Sequence, residues 1–241
     1  MKKRKINRKG MTLIEVLFST AIFSFVAITL FALFKLGQTY WAKGIAYNTL
    51  QAEGKRILTL LQQDIKESDI SKDKPYSYSM LVSNILVGTQ NVRRDGLLLV
   101  VPNPNYKGNT TTDPLIYRAY VSTSEQNNNQ GGVGEIYLLE YKPSSSTGYD
   151  ATWISIDSNL SGLFGNGFSK NELNNLNNPS PIKVSLLSNN LFSFQAQIIN
   201  NNSISISIVL MRKSFSDQKL QNVRFDLEIA PANNNQFPFT N

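Results

Sequence analysis

The first forty residues constrain this 241-residue chain more than any other stretch. Six basic residues (Lys2, Lys3, Arg4, Lys5, Arg8 and Lys9) precede Gly10, and in the 24 residues from Met11 to Phe34 the only charge is Glu15. As a helix that run spans about 36 Å at ~1.5 Å per residue, enough to cross a hydrocarbon core of ~30 Å. A secretory signal has a shorter apolar region, about 7–15 residues, followed by a small-residue cleavage site. Here Lys35, Gly37 and the aromatic pair Tyr40-Trp41 follow instead. The basic leader is expected on the cytoplasmic side of a membrane, with the C-terminal bulk on the far side and Tyr40 and Trp41 at the far interface. A carboxylate within such a span costs roughly 2.5–3.5 kcal/mol on insertion scales, which makes Glu15 a candidate functional residue.

The stretch Lys9-Gly10-Met11-Thr12-Leu13-Ile14-Glu15-Val16 resembles the prepilin signature of type IV pilins and type II secretion pseudopilins. The resemblance implies cleavage after Gly10 by a prepilin peptidase, N-methylation of Met11 as the new first residue, and retention of the apolar helix. It also makes Glu15 the characteristic acidic residue. Phe is commoner in that family where Met11 stands. The chemistry is coherent: Gly10 has no side chain to keep an extended leader away from a peptidase. The new amine at Met11 would lie only about 6 Å along the axis from Glu15. In a filament core Glu15 of one subunit can pair with the amine of a neighbour. Two charges 4 Å apart attract by about 4 kcal/mol at an effective dielectric near 20, offsetting part of their desolvation and fixing register.

The net charge of +7 belongs almost wholly to the leader; without its six basic residues the chain carries 18 basic against 17 acidic groups. The basic balance is therefore a targeting feature and no nucleic-acid footprint. No cysteine and no histidine is present, which removes disulfides, the commonest zinc ligands and the usual nucleophile–base pairs. No catalytic site, cofactor or metal is expected. About 170 residues follow the helix, enough for one sizeable core.

The helix is expected to continue beyond the membrane. Leu50, Gly54, Ile57, Leu58, Leu61 and Ile65 recur at three- and four-residue spacing, Gln51, Lys55, Gln62, Lys66 and Glu67 occupy other faces, and Lys74-Pro75 marks the stop. Gly37, Gly44 and Gly54 each weaken that helix by about 1 kcal/mol relative to Ala. The sum is one helix of roughly 60 residues, near 90 Å long, whose amphipathic half requires a sheet across it. Strict alternation marks strands at Phe192–Ile198, Ile204–Leu210 and Val223–Ile229, with Asn200-Asn201-Asn202 as a hairpin turn. Earlier candidates are Ser79–Val87, Gly96–Val101, Leu115–Val121, Glu135–Tyr141 and Thr152–Ile156, separated by loops such as Glu125–Gly134 and Pro143–Gly148. Asn159–Pro181 reads as a long loop or a short helix. The expected fold class is α+β: a leader (1–10), a membrane or filament-core helix (11–36), its amphipathic continuation (37–70) and a β-rich domain (71–241).

This layout resembles the PilW-like and J-subunit-like branch of minor pilins and pseudopilins, carried by Leu58–Ile65, by Leu115-Ile116-Tyr117-Arg118 and by the closing strand pairs. The membrane helix lacks the proline common in major pilins. The function so implied is a subunit that primes or supports a type IV pilus-like filament. Its partners would be the prepilin peptidase, other pilins and the inner-membrane assembly platform. Retention of Glu15 argues against the outermost tip position. A secretion pseudopilin and a pilus-borne adhesin or DNA-binding subunit remain open alternatives. Other motifs take plainer readings. Gly162–Gly167 lacks phosphate-loop spacing and context. Asp64, Glu67, Asp69 and Asp73 match no calcium loop and read as a solvated helix end. Arg93-Arg94 reads as a turn.

Overall fold

The computed structural model describes residues 11–68, 78–81, 84–102, 115–124, 126–141, 182–199, 203–215 and 217–230. One helix, α1 (Leu13–Glu67), runs for 55 residues, about 80 Å. The expected stop at Lys74-Pro75, outside the described residues, is corrected: α1 ends earlier. Ser68 turns to an extended conformation, its N–H donates to Asp64 O at 2.9 Å, and its Oγ donates to Ile65 O at 2.8 Å. These bonds satisfy carbonyls that a helix end leaves free.

The strands are β1 (Tyr78–Leu81), β2 (Asn84–Val87), β3 (Gln90–Arg93), β4 (Gly96–Pro102), β5 (Leu115–Ser122), β6 (Gly134–Tyr141), β7 (Ile182–Ile199), β8 (Ser203–Lys213) and β9 (Leu220–Ile229). Seven form one antiparallel sheet in the order β1-β4-β5-β6-β7-β8-β9, a meander from β4 onward, and β2-β3 is a separate hairpin. The α+β expectation of a long helix on an antiparallel sheet holds. Ser79–Val87 is corrected from one strand to two, β1 and β2, in different sheets. The hairpin closes through Gly88-Thr89 with Gly88 at φ 62°, the conformation that a two-residue loop with glycine first requires. The Asn200–Asn202 turn and the Thr152–Ile156 strand lie outside the described residues, as do Pro143–Gly148 and Asn159–Pro181. The strands flanking the three asparagines do pair, with Ile199 opposite Ser203.

The core lies between the second half of α1 and the sheet. Burial along α1 begins at Ala42 and continues through Ala46, Leu50, Gly54, Ile57, Leu61, Asp64 and Ile65. Against it stand Ile204, Ile206, Ile208 and Leu210 of β8, Leu97 and Leu99 of β4, and Phe194 of β7. Burying each large aliphatic side chain contributes about 1.5–3 kcal/mol. Gly54 is there for close approach: a Cβ at that position would overlap the ring of Phe225 on β9. Gly54→Val is therefore expected to destabilise the fold by about 1–3 kcal/mol through overpacking, despite the weak helix propensity of glycine. Phe225→Leu should recover part of that loss, and urea unfolding of both variants and the pair measures it.

Polar side chains fasten the helix to the sheet. Asp64 was expected on a solvated helix end; it is instead 1 % exposed. It forms an ion pair with Arg118 and accepts from Tyr120 Oη at 2.5 Å, while Arg118 Nη2 lies 3.1 Å from Glu140 across the β5–β6 pair. Burial raises the Asp64 carboxyl above its ordinary value, against the opposing pull of Tyr120 and Arg118. The Tyr120 phenol is pushed well above its usual range, first by burial and then by the Asp64 charge. Tyr120 thus stays a neutral donor at pH 7. Further along α1, Glu53 accepts from Ser188 Oγ at 2.6 Å and Asn190 Nδ2 at 3.0 Å, where β7 slips register against β6, and Arg56 donates to Leu187 O. Lys43 meets Asp217, in the β8–β9 turn, at 3.0 Å.

Arg93-Arg94 is also corrected. The pair forms no exposed turn but part of the crossing from β3 to β4, pinned to β7. Arg94 is buried, and its guanidinium donates to the carbonyls of Phe192 (3.1 Å), Thr123 (2.9 Å), Gly132 (2.7 Å) and Leu191 (3.3 Å). Burial lowers its pKa to about 10, which leaves it charged at pH 7. Next to it, Asp95 N–H donates to Phe194 O at 2.8 Å and Asp95 Oδ2 accepts from Ala196 N at 3.0 Å.

Candidate functional site at the head of the helix

The residues singled out by the sequence sit at one end of α1. Gly10 lies outside the described residues. Met11 and Thr12 precede the first helical turn, and Glu15 falls within it. Thr12 is the N-cap, with φ −74° and ψ 152°. Its Oγ1 accepts from Glu15 N at 3.4 Å, and Glu15 Oε2 accepts from Thr12 N at 2.8 Å and from Thr12 Oγ1 at 3.0 Å. This is a reciprocal capping box of the Ser/Thr-x-x-Glu type, which satisfies two of the donors that a helix start leaves unpaired. The spacing Thr12-x-x-Glu15 carries that signal in the sequence, and the reading of Glu15 as an assembly acid passed over it. The carboxylate therefore has a partner within its own chain, one residue from Met11.

Residues 11–38 are all exposed. The segment is long and apolar enough to cross a membrane by length and composition. Its hydroxyls are accommodated by the backbone: Thr20 Oγ1 donates to Leu17 O at 2.9 Å, Ser24 Oγ to Thr20 O at 2.7 Å, and Thr29 Oγ1 to Phe25 O at 2.8 Å. Polar groups so satisfied lose little on leaving water. Between Met11 and Phe34, Glu15 is the one group whose charge that device cannot hide. Tyr40 and Trp41 are exposed just before burial begins at Ala42, so the sheet domain starts where the apolar segment ends.

A family model described as a prokaryotic N-terminal methylation motif matches residues 5–31, which take in the second half of the basic leader, Gly10, the capping box and most of the apolar segment. No curated protein and no solved structure gives a significant match. The methylation motif, placed at the head of an exposed apolar helix whose other half packs on an antiparallel sheet, supports a type IV pilin-like family for this chain.

Proposed function

We propose that the chain is a minor pilin or pseudopilin, a structural subunit that primes or supports assembly of a type IV pilus-like filament. The observation that carries this reading is the methylation motif over residues 5–31 on a helix divided into a fully exposed apolar half and a half packed on the sheet. An ordinary signal anchor needs only the first half; a filament subunit needs a rigid continuation that ties the membrane segment to the outer domain. On this reading the prepilin peptidase cuts after Gly10 and Met11 becomes the methylated N-terminus. The protein waits in the inner membrane with its sheet domain outside the cytoplasm. Extraction by the assembly platform then places the exposed half of α1 among the helices of other pilins. There Glu15 exchanges its Thr12 contacts for the amine of a neighbour. The unbroken helix and the PilW-like and J-subunit-like layout favour a low-abundance subunit over the bulk filament protein.

Processing tests the reading directly. Wild-type protein extracted from membranes is expected to have the intact mass of a chain beginning at methylated Met11. Gly10→Val should retain the whole leader, because a β-branched residue blocks close backbone approach at the scissile bond. A mature wild-type chain starting anywhere but Met11 would sink the proposal.

A further inference from the structure

Two clefts share Asn128, and the second lies on the side of the sheet away from α1. In β8 the even-numbered residues from Ile204 to Leu210 face the helix, so Val209 faces the opposite way; the alternation of β9 sends Leu220 and Asn222 to that same side. The first cleft, about 440 Å³, is lined by the amides of Gln126, Asn127, Asn128, Asn129, Gln130 and Asn189, with Glu135 beside them. The second, about 530 Å³, shares Asn128 with the first. It has an apolar floor of Phe192, Val209, Met211 and Leu220, and the amides of Gln90 and Asn222 also line it. Both volumes fall in the range of small-molecule sites.

The turn between the clefts is held firmly. Asn127 N–H donates to Val133 O at 2.7 Å, Gln130 N–H to Asn127 O at 2.9 Å, and Gly132 N–H to Asn127 O at 3.0 Å. Gly131 and Gly132 have φ of 83° and 79°, and a Cβ on Gly132 would overlap Val87 of the hairpin. Arg94 grips the Gly132 carbonyl, and Gln126 Nε2 donates to Leu86 O at 2.6 Å. The backbone of the turn is thus satisfied internally. Asn127, Asn128 and Asn129 are exposed, and no side-chain hydrogen bond to another described residue engages their amides.

The chemistry selects a ligand class. Among the described residues no lysine or arginine lines either cleft, so they offer a polyanion no counter-charge. Each free amide offers two donors and an acceptor oxygen, matched to hydroxyls that both donate and accept. The apolar floor beside them suits a ring with a C–H face. An extended peptide would instead seek the backbone of a strand edge, whereas these groups are side chains over a sheet face. We propose that the two clefts flanking Asn128 bind a neutral oligosaccharide, with a sugar ring on Phe192, Met211 and Leu220 and its hydroxyls on Asn128, Asn129 and Asn222. The proposal stands on the cleft itself and does not require the assembly role.

The test uses the full chain in a detergent without a sugar headgroup. Maltohexaose, cellohexaose and chitohexaose are titrated by saturation-transfer NMR and calorimetry, alongside heparin and a neutral Gly-Ser peptide. At least one neutral oligosaccharide is expected to bind. Asn128→Ala and Asn222→Ala should each weaken it about fivefold, the worth of one lost hydrogen bond, with the urea midpoint unchanged. No binding of any of the three sugars at roughly 5 mM, a level that reveals millimolar Kd values, overturns the proposal. So does sugar binding indifferent to both substitutions, or binding confined to heparin or the peptide. Processing and filament assays do not enter the measurement, so either reading can fail alone.

Discussion

Exchanging Glu15 for Leu is expected to leave membrane levels and leader cleavage at wild-type values while depleting the protein from sheared surface filaments at least about tenfold. In the lone subunit the loss is local. Glu15 closes a capping box with Thr12 at the start of α1, worth on the order of 1 kcal/mol, and an apolar replacement favours insertion. On the proposed function, the same change in a filament core would strand the amine of a neighbour. Breaking one side of a buried pair costs about 3–5 kcal/mol, and every 1.4 kcal/mol is about tenfold in occupancy. Glu15→Gln separates the two roles. Gln at that position still accepts from Thr12 N–H, so the cap survives while the charge is gone. If Glu15 acts by pairing, both variants drop out of the filaments; if it acts by capping, only Leu does. Wild-type incorporation of both would leave the acid without an assembly role.

Asp64→Ala is expected to lower stability by about 3 kcal/mol, a large share of the 5–15 kcal/mol of a typical domain. The change empties a buried site, leaves the Tyr120 hydroxyl without its acceptor, and removes the stronger partner of Arg118. Arg118 keeps Glu140 at 3.1 Å, which holds the cost at the lower end of the range. Asp64→Asn retains an acceptor for Tyr120 and should cost about half as much. Because burial raises the Asp64 carboxyl, its charge is held against a desolvation cost that offsets part of the attraction within the cluster. The apolar triple change Asp64→Leu, Arg118→Met and Tyr120→Phe should therefore unfold within about 1 kcal/mol of wild type. Urea midpoints followed by near-ultraviolet circular dichroism measure all three, and an unchanged midpoint for Asp64→Ala would make the cluster dispensable.

What the sequence revealed of this fold is what period and local chemistry encode. Ile204, Ile206, Ile208 and Leu210 alternate with polar or smaller neighbours because only one face of β8 meets α1, and the strand is found where that alternation lies. The stripe from Leu50 to Ile65 reports the buried helix face in the same way. The first half of β7 escaped detection because the register slip near Ser188 breaks its period, so no alternating run spans Ile182–Leu191. Gly88-Thr89 did carry a hairpin signal, but its strands are only four residues each, too short for a period to show. The burial of Asp64 and Arg94 was not legible. Arg118 is 54 residues from Asp64, and the β7 carbonyls held by Arg94 are 97 and 98 residues away. A charged side chain reveals nothing about burial until its distant partner is in place. At the candidate site Gly10, Met11 and Glu15 were legible as a motif, while the second use of Glu15 as a cap lay in the same four residues.

The fastenings between α1 and the sheet also have a mechanical meaning. Lys43, Glu53, Arg56 and Asp64 attach the helix at four heights spread over about 30 Å. A force drawn along the helix axis is then shared among links loaded in parallel, and no single contact carries the whole tension. Among the described residues the exposed half has no such ties, so on the proposed function it would slide between neighbours while the tethered half transmits that pull to the sheet as shear. The protein is built like a rope end spliced into its fitting, in which the grip comes from the length of the splice.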